Sequence, residues 1–407
     1  MKPNPDPTPR HVLALNRGSS SIKFALFRID AVPERVWRGT VERIGLSGTA
    51  LRWSDAAGVM SEPVAFPVTT RDSAADSLID WLEQRDEFAS IVGVGHRVVH
   101  GMRHTEPEPI TPELLDELHG IIPCDPEHLP GELELIEAFW RRHPQLLQLA
   151  CFDTAFHRTM PRVATLLPIP RRFDAKGIQR YGFHGLSYAY LMEELSRLGE
   201  PAASKGHLIL AHLGNGASMA AVRDGKSVDT SMGFTPTAGL PMGTRSGDLD
   251  PGLVGYLARS ERMTVGEFHR MVNQESGLLG VSETSSDMRD LLTLEATDPR
   301  VAEAVQLFCY QSKKYLGAFA AALGGLDTLV FSGGIGENCP SIRSRICEGL
   351  GFLGIELDPI RNSHNAGVIS AAISRVVVRV IPTDEESMIA RSVWRFPGLG
   401  FTPDTGR

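Results

Sequence analysis

The chain has 407 residues, 42% of them hydrophobic, with a formal net charge of -8 and a pI near 5.9. That length suits two domains with separate cores and excludes a single small binding module, while the acidic balance offers no global basic surface, so neither nucleic acid nor membrane is expected as a partner. Five scattered cysteines with no C-x-x-C pair fit reduced thiols in a cytoplasmic protein, and no apolar run reaches the ~20 residues that span a bilayer.

Met1 to Arg10 is proline-rich and polar and reads as a disordered leader. Val12 to Leu15 is apolar, Asn16 to Ser21 is a polar turn around Gly18, and Ile22 to Ile29 is again apolar, which predicts strand, turn, strand. The unit recurs in the second half, where His207 to Ala211 leads into His212-Leu213-Gly214-Asn215-Gly216 and Met219 to Val222 returns before the turn Asp224-Gly225. One copy per half predicts two related α/β domains across a cleft. Helices are expected over Pro126 to His143, Ser187 to Leu198 with Gly199 as stop, and Pro299 to Leu323. Thr328 to Phe331 reads as a buried strand, Ser332 to Asn338 as a third glycine turn, and Ser341 onward as a helix. Val376 to Val378 predicts another strand, and Thr383, as N-cap, opens the last helix with Glu386 completing a capping box.

A glycine turn lets backbone N–H groups approach an anion, and hydroxyls and a lysine add donors, so Gly18 to Ser21 with Lys23 suits a phosphate cradle. One such turn alone reads as an ordinary hairpin. Three of them, each directly after an apolar strand, point to a nucleotide straddling two domains. Gly225-Lys226-Ser227 does not complete a P-loop, because position 220 is Ala, and reads as a hairpin turn. Gly333 to Gly336 lacks the dinucleotide spacing, and His96 and His100 lie in a strand-like stretch, against a zinc site. Phosphoryl transfer needs cations against spreading charge, a donor near the transferred group and carboxylates for Mg²⁺. Arg97 within Gly95 to Gly101, Arg245 within Gly243 to Asp248, His184 within Arg180 to Gly185 and Asp153 after an apolar run supply such groups. Singly, each is better explained by a surface ion pair, or for Asp153 by a turn or cap, than by catalysis; their shared placement at strand ends and in glycine loops favours chemistry.

These motifs, with Phe152-Asp153-Thr154-Ala155-Phe156-His157, Tyr181-Gly182-Phe183-His184-Gly185 and Asp229 to Pro251, closely resemble the acetate kinase family, which shares a fold with sugar kinases, actin and the ATPase domain of heat-shock chaperones. The resemblance implies an α/β fold of two duplicated actin-like (ribonuclease H-like) domains flanking a nucleotide cleft. Its domains are 11–155 completed by 386–398, and 156–385 for nucleotide binding and dimerisation, between a leader at 1–10 and a tail at 399–407. It implies reversible in-line transfer of the ATP γ-phosphoryl group to acetate, giving acetyl phosphate and ADP, in a cytoplasmic homodimer. Asn16 and Glu385 match metal-site residues for Mg²⁺, with Mn²⁺ as a substitute. Lys23, His212, Leu213, Gly214, Asn215, Gly216, Asp287, Met288, Arg289, Gly334, Ile335, Gly336, Glu337 and Asn338 match nucleotide-binding positions. Arg97 matches the carboxylate-binding arginine, Val99, Phe183 and Pro236 the acyl pocket, His184 and Arg245 the pair that stabilises the phosphoryl group in flight, and Asp153 the catalytic aspartate. A carboxylate substrate is already ionised, so Asp153 suits orienting Arg97 or the metal as well as moving a proton.

The chain departs from the family at Arg17, where alanine is usual, at Pro123 and Cys124 in place of leucine and histidine, and at Leu186 and Tyr188 in place of threonine and histidine. These changes bear on the acid preferred, with propionate or butyrate as alternatives to acetate. An inactive member or a chaperone-like ATP-driven binding protein are the readings from another class.

Overall fold

The computed structural model describes residues 10–18, 20–45, 48–66 and 72–399, so residues 1–9 of the expected leader, Ser19 of the first glycine turn and residues 400–407 of the expected tail lie outside it. The chain divides into two compact units, one running to Ala155 and resuming at Asp384, the other spanning Phe156–Thr383. Asp384 and Glu385 thus group with the first unit, slightly before the boundary drawn from sequence.

The first unit is built on β1 (His11–Arg17), β2 (Ser21–Ile29), β3 (Pro33–Glu42), β4 (Ala50–Asp55), β5 (Val64–Ala65), β6 (Ile91–Val98), β7 (Glu108–Pro109) and β8 (Leu147–Phe152), in the order β5-β4-β3-β2-β1-β6-β8-β7. β1 to β3 are successive antiparallel neighbours, whereas β6 runs parallel to β1 and β8 parallel to β6. The second unit repeats that plan. β9 (His207–Leu213), β10 (Ala217–Arg223) and β11 (Lys226–Thr230) are antiparallel, and β12 (Thr328–Ser332) and β13 (Val377–Val380) add parallel strands to give β11-β10-β9-β12-β13. Three antiparallel strands followed by two parallel ones, twice over, is the duplication that the repeated strand-turn-strand motif predicts.

Both faces of the central strands are covered, so β1 reads as a continuous buried run rather than an alternating one. In the first unit, Leu13, Leu15, Phe24, Trp37, Leu78 and Phe139 share one core, where Phe24, Trp37 and Trp81 pack edge-on and tilted. Helix Glu385–Trp394 lies so close to β6 that a Cβ on Gly95 would sit 2.4 Å from Ile389, which is why glycine occupies that strand position. Helix Pro299–Leu323 has the expected limits: the Asp298 side chain caps Arg300 N–H and Gly324 ends it at φ 80°.

Several local expectations shift. The helix after Pro126 begins at Leu129, because the Asp125 carboxylate takes the His128 N–H and ring and holds 126–128 as a turn. The helix expected from Ser187 starts two residues earlier, at Gly185, preceded by His184 in the left-handed region at φ 61°. The expected glycine turn after β12 is a short helix, Gly333–Asn338, followed by helix Pro340–Cys347. Gly333 permits this, with φ 75° and a position where a Cβ would meet the Leu213 carbonyl at 2.7 Å. Asp384, not Thr383, caps the last helix by accepting the Ser387 N–H; Thr383 instead bonds Ser187. Glu386 is therefore not part of a capping box. Asp224 and Gly225, both at positive φ, turn the β10–β11 hairpin as read from sequence.

Candidate active site

In the first unit, parallel pairing of β6 with β8 brings Arg97, near the end of β6, beside Asp153, just past β8. Arg97 Nε and Nη2 both donate to Asp153 Oδ2, at 3.1 and 2.7 Å, while Nη1 donates to Glu132 Oε1 and the Arg17 carbonyl, each at 3.2 Å. Burial opposes the guanidinium charge, but Asp153, Glu132 and Glu385 together hold its pKa above the ordinary value. The fully buried Asp153 thereby orients the arginine. Glu132, unforeseen from sequence, lies in helix Leu129–Arg142; its Oε2 accepts the Val99 N–H at 2.8 Å, and burial pushes its pKa up to about 8 against the pull of Arg97.

Asn16 donates from Nδ2 to Glu385 Oε2 at 2.8 Å and Glu386 Oε1 at 3.0 Å, and Asn16 pairs across the sheet with Lys23. Burial, with Glu385 and Asp384 nearby, raises the Glu386 pKa, and Lys23 opposes the rise. The resemblance implies Asn16 and Glu385 for metal, and Glu386 lies beside them on the same Asn16 amide. These hard oxygen donors fit Mg²⁺, which takes one or two carboxylates and fills its shell with water and phosphate. Among the described residues, no group of three or more His, Cys, Asp or Glu is placed to hold a metal ion.

In the second unit, the β9–β10 turn is closed by Gly214 N–H on the Gly216 carbonyl at 3.0 Å. A Cβ built on Gly216 would lie 3.2 Å from His184 Nε2 and 3.7 Å from Arg245 Nη1, so both groups converge on this turn. Arg245 is also anchored by Nη1 donating to the Pro236 carbonyl at 3.2 Å. His184 stacks on His212 at 4.2 Å. Each ring has a serine at Nδ1, Ser218 for His184 and Ser187 for His212, both at 2.8 Å. Tyr188, one of the departures, is buried against Phe156 and His157 and shares a 2.5 Å hydrogen bond with Ser218. His157 Nε2 donates to the Phe183 carbonyl at 3.1 Å, and burial lowers its pKa to about 4, so the ring is neutral. Local motifs marked His184 and Arg245; Ser218 and His157 act through contacts that only the fold creates.

The other expected nucleotide contacts are distributed unevenly. Asp287 caps Arg289 N–H and pairs with its exposed guanidinium, whereas Met288 is buried in the core and offers backbone only. Glu337 Oε1 accepts the Gly333 N–H at 2.8 Å and the Thr383 N–H at 3.1 Å, so its carboxylate braces the loop itself. Arg343, fully buried, donates to the carbonyls of Gly336 and Glu337 and to Asn362 and Asn365. It fixes Gly334 to Asn338 from behind. Of the departures, Arg17 pairs with Glu134 at 3.2 Å, and Cys124 is half-buried with its thiol pKa raised by burial and Asp125.

A five-strand plan repeated in two units, with a glycine turn after the first strand of each, Arg97 against the first turn and His184 and Arg245 against the second, defines a duplicated α/β phosphotransferase. The chain matches the profile of the acetokinase family over residues 11–391 and belongs to that family. It is 45% identical over 396 residues to acetate kinase from Rhodopseudomonas palustris (strain TIE-1), covering 96% of this chain and 99% of the relative. Among solved structures it is similar to Porphyromonas gingivalis acetate kinase, with TM-score 0.83, 38% identity and 94% and 98% of the two chains covered. It is also similar to a propionate kinase from Francisella tularensis subsp. tularensis SCHU S4, with TM-score 0.86, 36% identity and the same coverage. Among the described residues, no helix is long and apolar enough to cross a membrane.

Proposed function

We propose that the protein transfers the γ-phosphoryl group of ATP to acetate, reversibly, giving acetyl phosphate and ADP. The convergence of His184 Nε2 and Arg245 Nη1 on Gly216 carries this reading, since two donors beside a backbone turn suit the equatorial oxygens of a phosphoryl group in flight. Arg97 binds the acid's carboxylate and offsets its repulsion from the nucleotide, with Asp153 orienting the guanidinium rather than moving a proton. Val99, Phe183 and Pro236, each buried within its own unit, are the positions that the family resemblance assigns to the acyl pocket. The Leu213–Gly216 turn, Lys23, the backbone at Asp287–Arg289 and the braced Gly334–Asn338 segment serve the nucleotide. Asn16, Glu385 and Glu386 would hold Mg²⁺, which supplies charge neutralisation on the phosphates. The working form is a cytoplasmic homodimer, and a monomer in light scattering would refute that part.

The test is hydroxylamine trapping of acyl phosphate with ATP and Mg²⁺ across formate, acetate, propionate and butyrate. Acetate should give the largest ATP-dependent hydroxamate signal. The propionate kinase relative makes propionate the second acid to watch, because one methylene in an apolar pocket is worth only ~1–3 kcal/mol. Silence with all four acids from folded protein would overturn the reading.

A further inference from the structure

We infer that Glu132 sets the affinity for the acid substrate by holding a second, internal carboxylate on the guanidinium of Arg97. The inference rests on the reading of Arg97 as the acid-binding residue. Arg97 has five N–H groups, and four hydrogen bonds engage Nε, Nη1 and one side of Nη2: two to Asp153, one to Glu132 and one to the Arg17 carbonyl. Among the described residues, one Nη2 N–H is left outside these bonds. An incoming carboxylate is thus denied the two-pronged grip that a free guanidinium edge provides.

Charge points the same way. Asp153 and Glu132 face one guanidinium, and the nearby Arg17 is itself paired with Glu134. With Glu132 ionised, the pocket carries a surplus negative charge before the anionic substrate arrives. With Glu132 protonated, Arg97 and Asp153 balance and the acid meets a neutral pocket. The groups that face Glu132 are Arg97 from β6, Asp153 from the end of β8 and Asp125 from the turn before its own helix, with Glu385 of the last helix acting on Arg97. Burial dominates this set and raises the Glu132 pKa to about 8, so its charge appears within the range in which the enzyme can be assayed.

The Val99 contact makes Glu132→Gln the informative variant, because the amide oxygen can still accept the Val99 N–H while the charge is removed. KM for acetate and kcat should be measured by hydroxamate trapping at saturating MgATP from pH 6.5 to 9, for wild type, E132Q and R97A. In wild type, KM should rise as pH passes about 8. In E132Q it should stay flat and lie about tenfold below wild type at pH 9, the worth of one charge-assisted hydrogen bond, with kcat within about threefold. An E132Q KM equal to or above wild type at pH 9 would overturn the inference, since Glu132 would then be a brace for Arg97 rather than a competitor on it. R97A separates the two levels: if it leaves KM for acetate unchanged, the acid-binding reading of Arg97 falls and the inference with it, whereas a raised R97A KM with an indifferent E132Q defeats the inference alone.

Discussion

Gly216→Ala isolates the chemistry of the second unit from its stability. The new methyl would sit 3.2 Å from His184 Nε2, 3.4 Å from Cε1 and 3.7 Å from Arg245 Nη1. Gly216 is not among the positive-φ glycines, so alanine brings no backbone strain there. Removing a glycine stabilises by about 0.4–1 kcal/mol through the unfolded chain, and easing the imidazole contact by a few tenths of an ångström costs a similar amount. The melting temperature should therefore stay within about 2 °C of wild type. Turnover should not. The methyl takes the space where a phosphoryl oxygen must meet both donors, and misplacing one such donor costs about 2.7–4 kcal/mol, or at least about a hundredfold in kcat at 1.36 kcal/mol per decade. Hydroxamate formation at saturating ATP and acetate, run beside a thermal melt, reads both quantities. A variant with wild-type kcat would show that no reacting oxygen occupies that space, and the assignment of His184 and Arg245 would fall.

Ser218→Ala removes the hydroxyl from His184 Nδ1 and from Tyr188 Oη, so kcat should drop about tenfold with KM for ATP nearly constant; an unchanged kcat would mean that the ring is held in place without this hydroxyl. Arg343→Met strips five hydrogen bonds from a buried guanidinium, at a cost on the order of 3–5 kcal/mol, and should lower the melting temperature of the second unit by roughly 10 °C. A shift under about 2 °C would refute its bracing role. Burial lowers the pKa of His96 to about 3 and of His157 to about 4. Between those values and 6.5 the unfolded chain binds the extra protons, so stability rises with pH across that window and is lost on acidification, by about 1.4 kcal/mol per pH unit for each histidine. Melting temperatures that stay flat from pH 6.5 to 4.5 would contradict this.

What could be read from sequence was what short segments decide. Asp298 and Gly324 bracket their helix with signals one residue long, and the Asp224-Gly225 hairpin is a two-residue decision. Arg97, His184 and Arg245 stood out because glycines crowd around them. Glu132 did not, because it sits on the apolar stripe of an ordinary amphipathic helix, among Leu129, Leu133, Ile136 and Phe139. A lone carboxylate on such a stripe is itself a signal, since burying it demands a cation, but only the fold names Arg97 as that cation. The last helix shows the opposite limit. Thr383 and Asp384 can both cap, and the choice between them turns on Ser187, which lies far away in sequence.

Helix Glu385–Trp394 has a bearing on how the protein is made. It packs against β1 and β6, and the side chains of Val393 and Ile389 that close over Gly93 and Gly95 come from it. On the ribosome, the strands of the first unit emerge early, yet their cover follows only after all of Phe156–Thr383 has been synthesised. The second unit is contiguous and can finish first, while the earlier strands wait with an apolar face toward the nascent chain's surroundings. A product terminated after Thr383 would lack Glu385 and Glu386 and leave that face open, so an unfinished copy is marked for chaperone or protease capture by the same omission that would silence it.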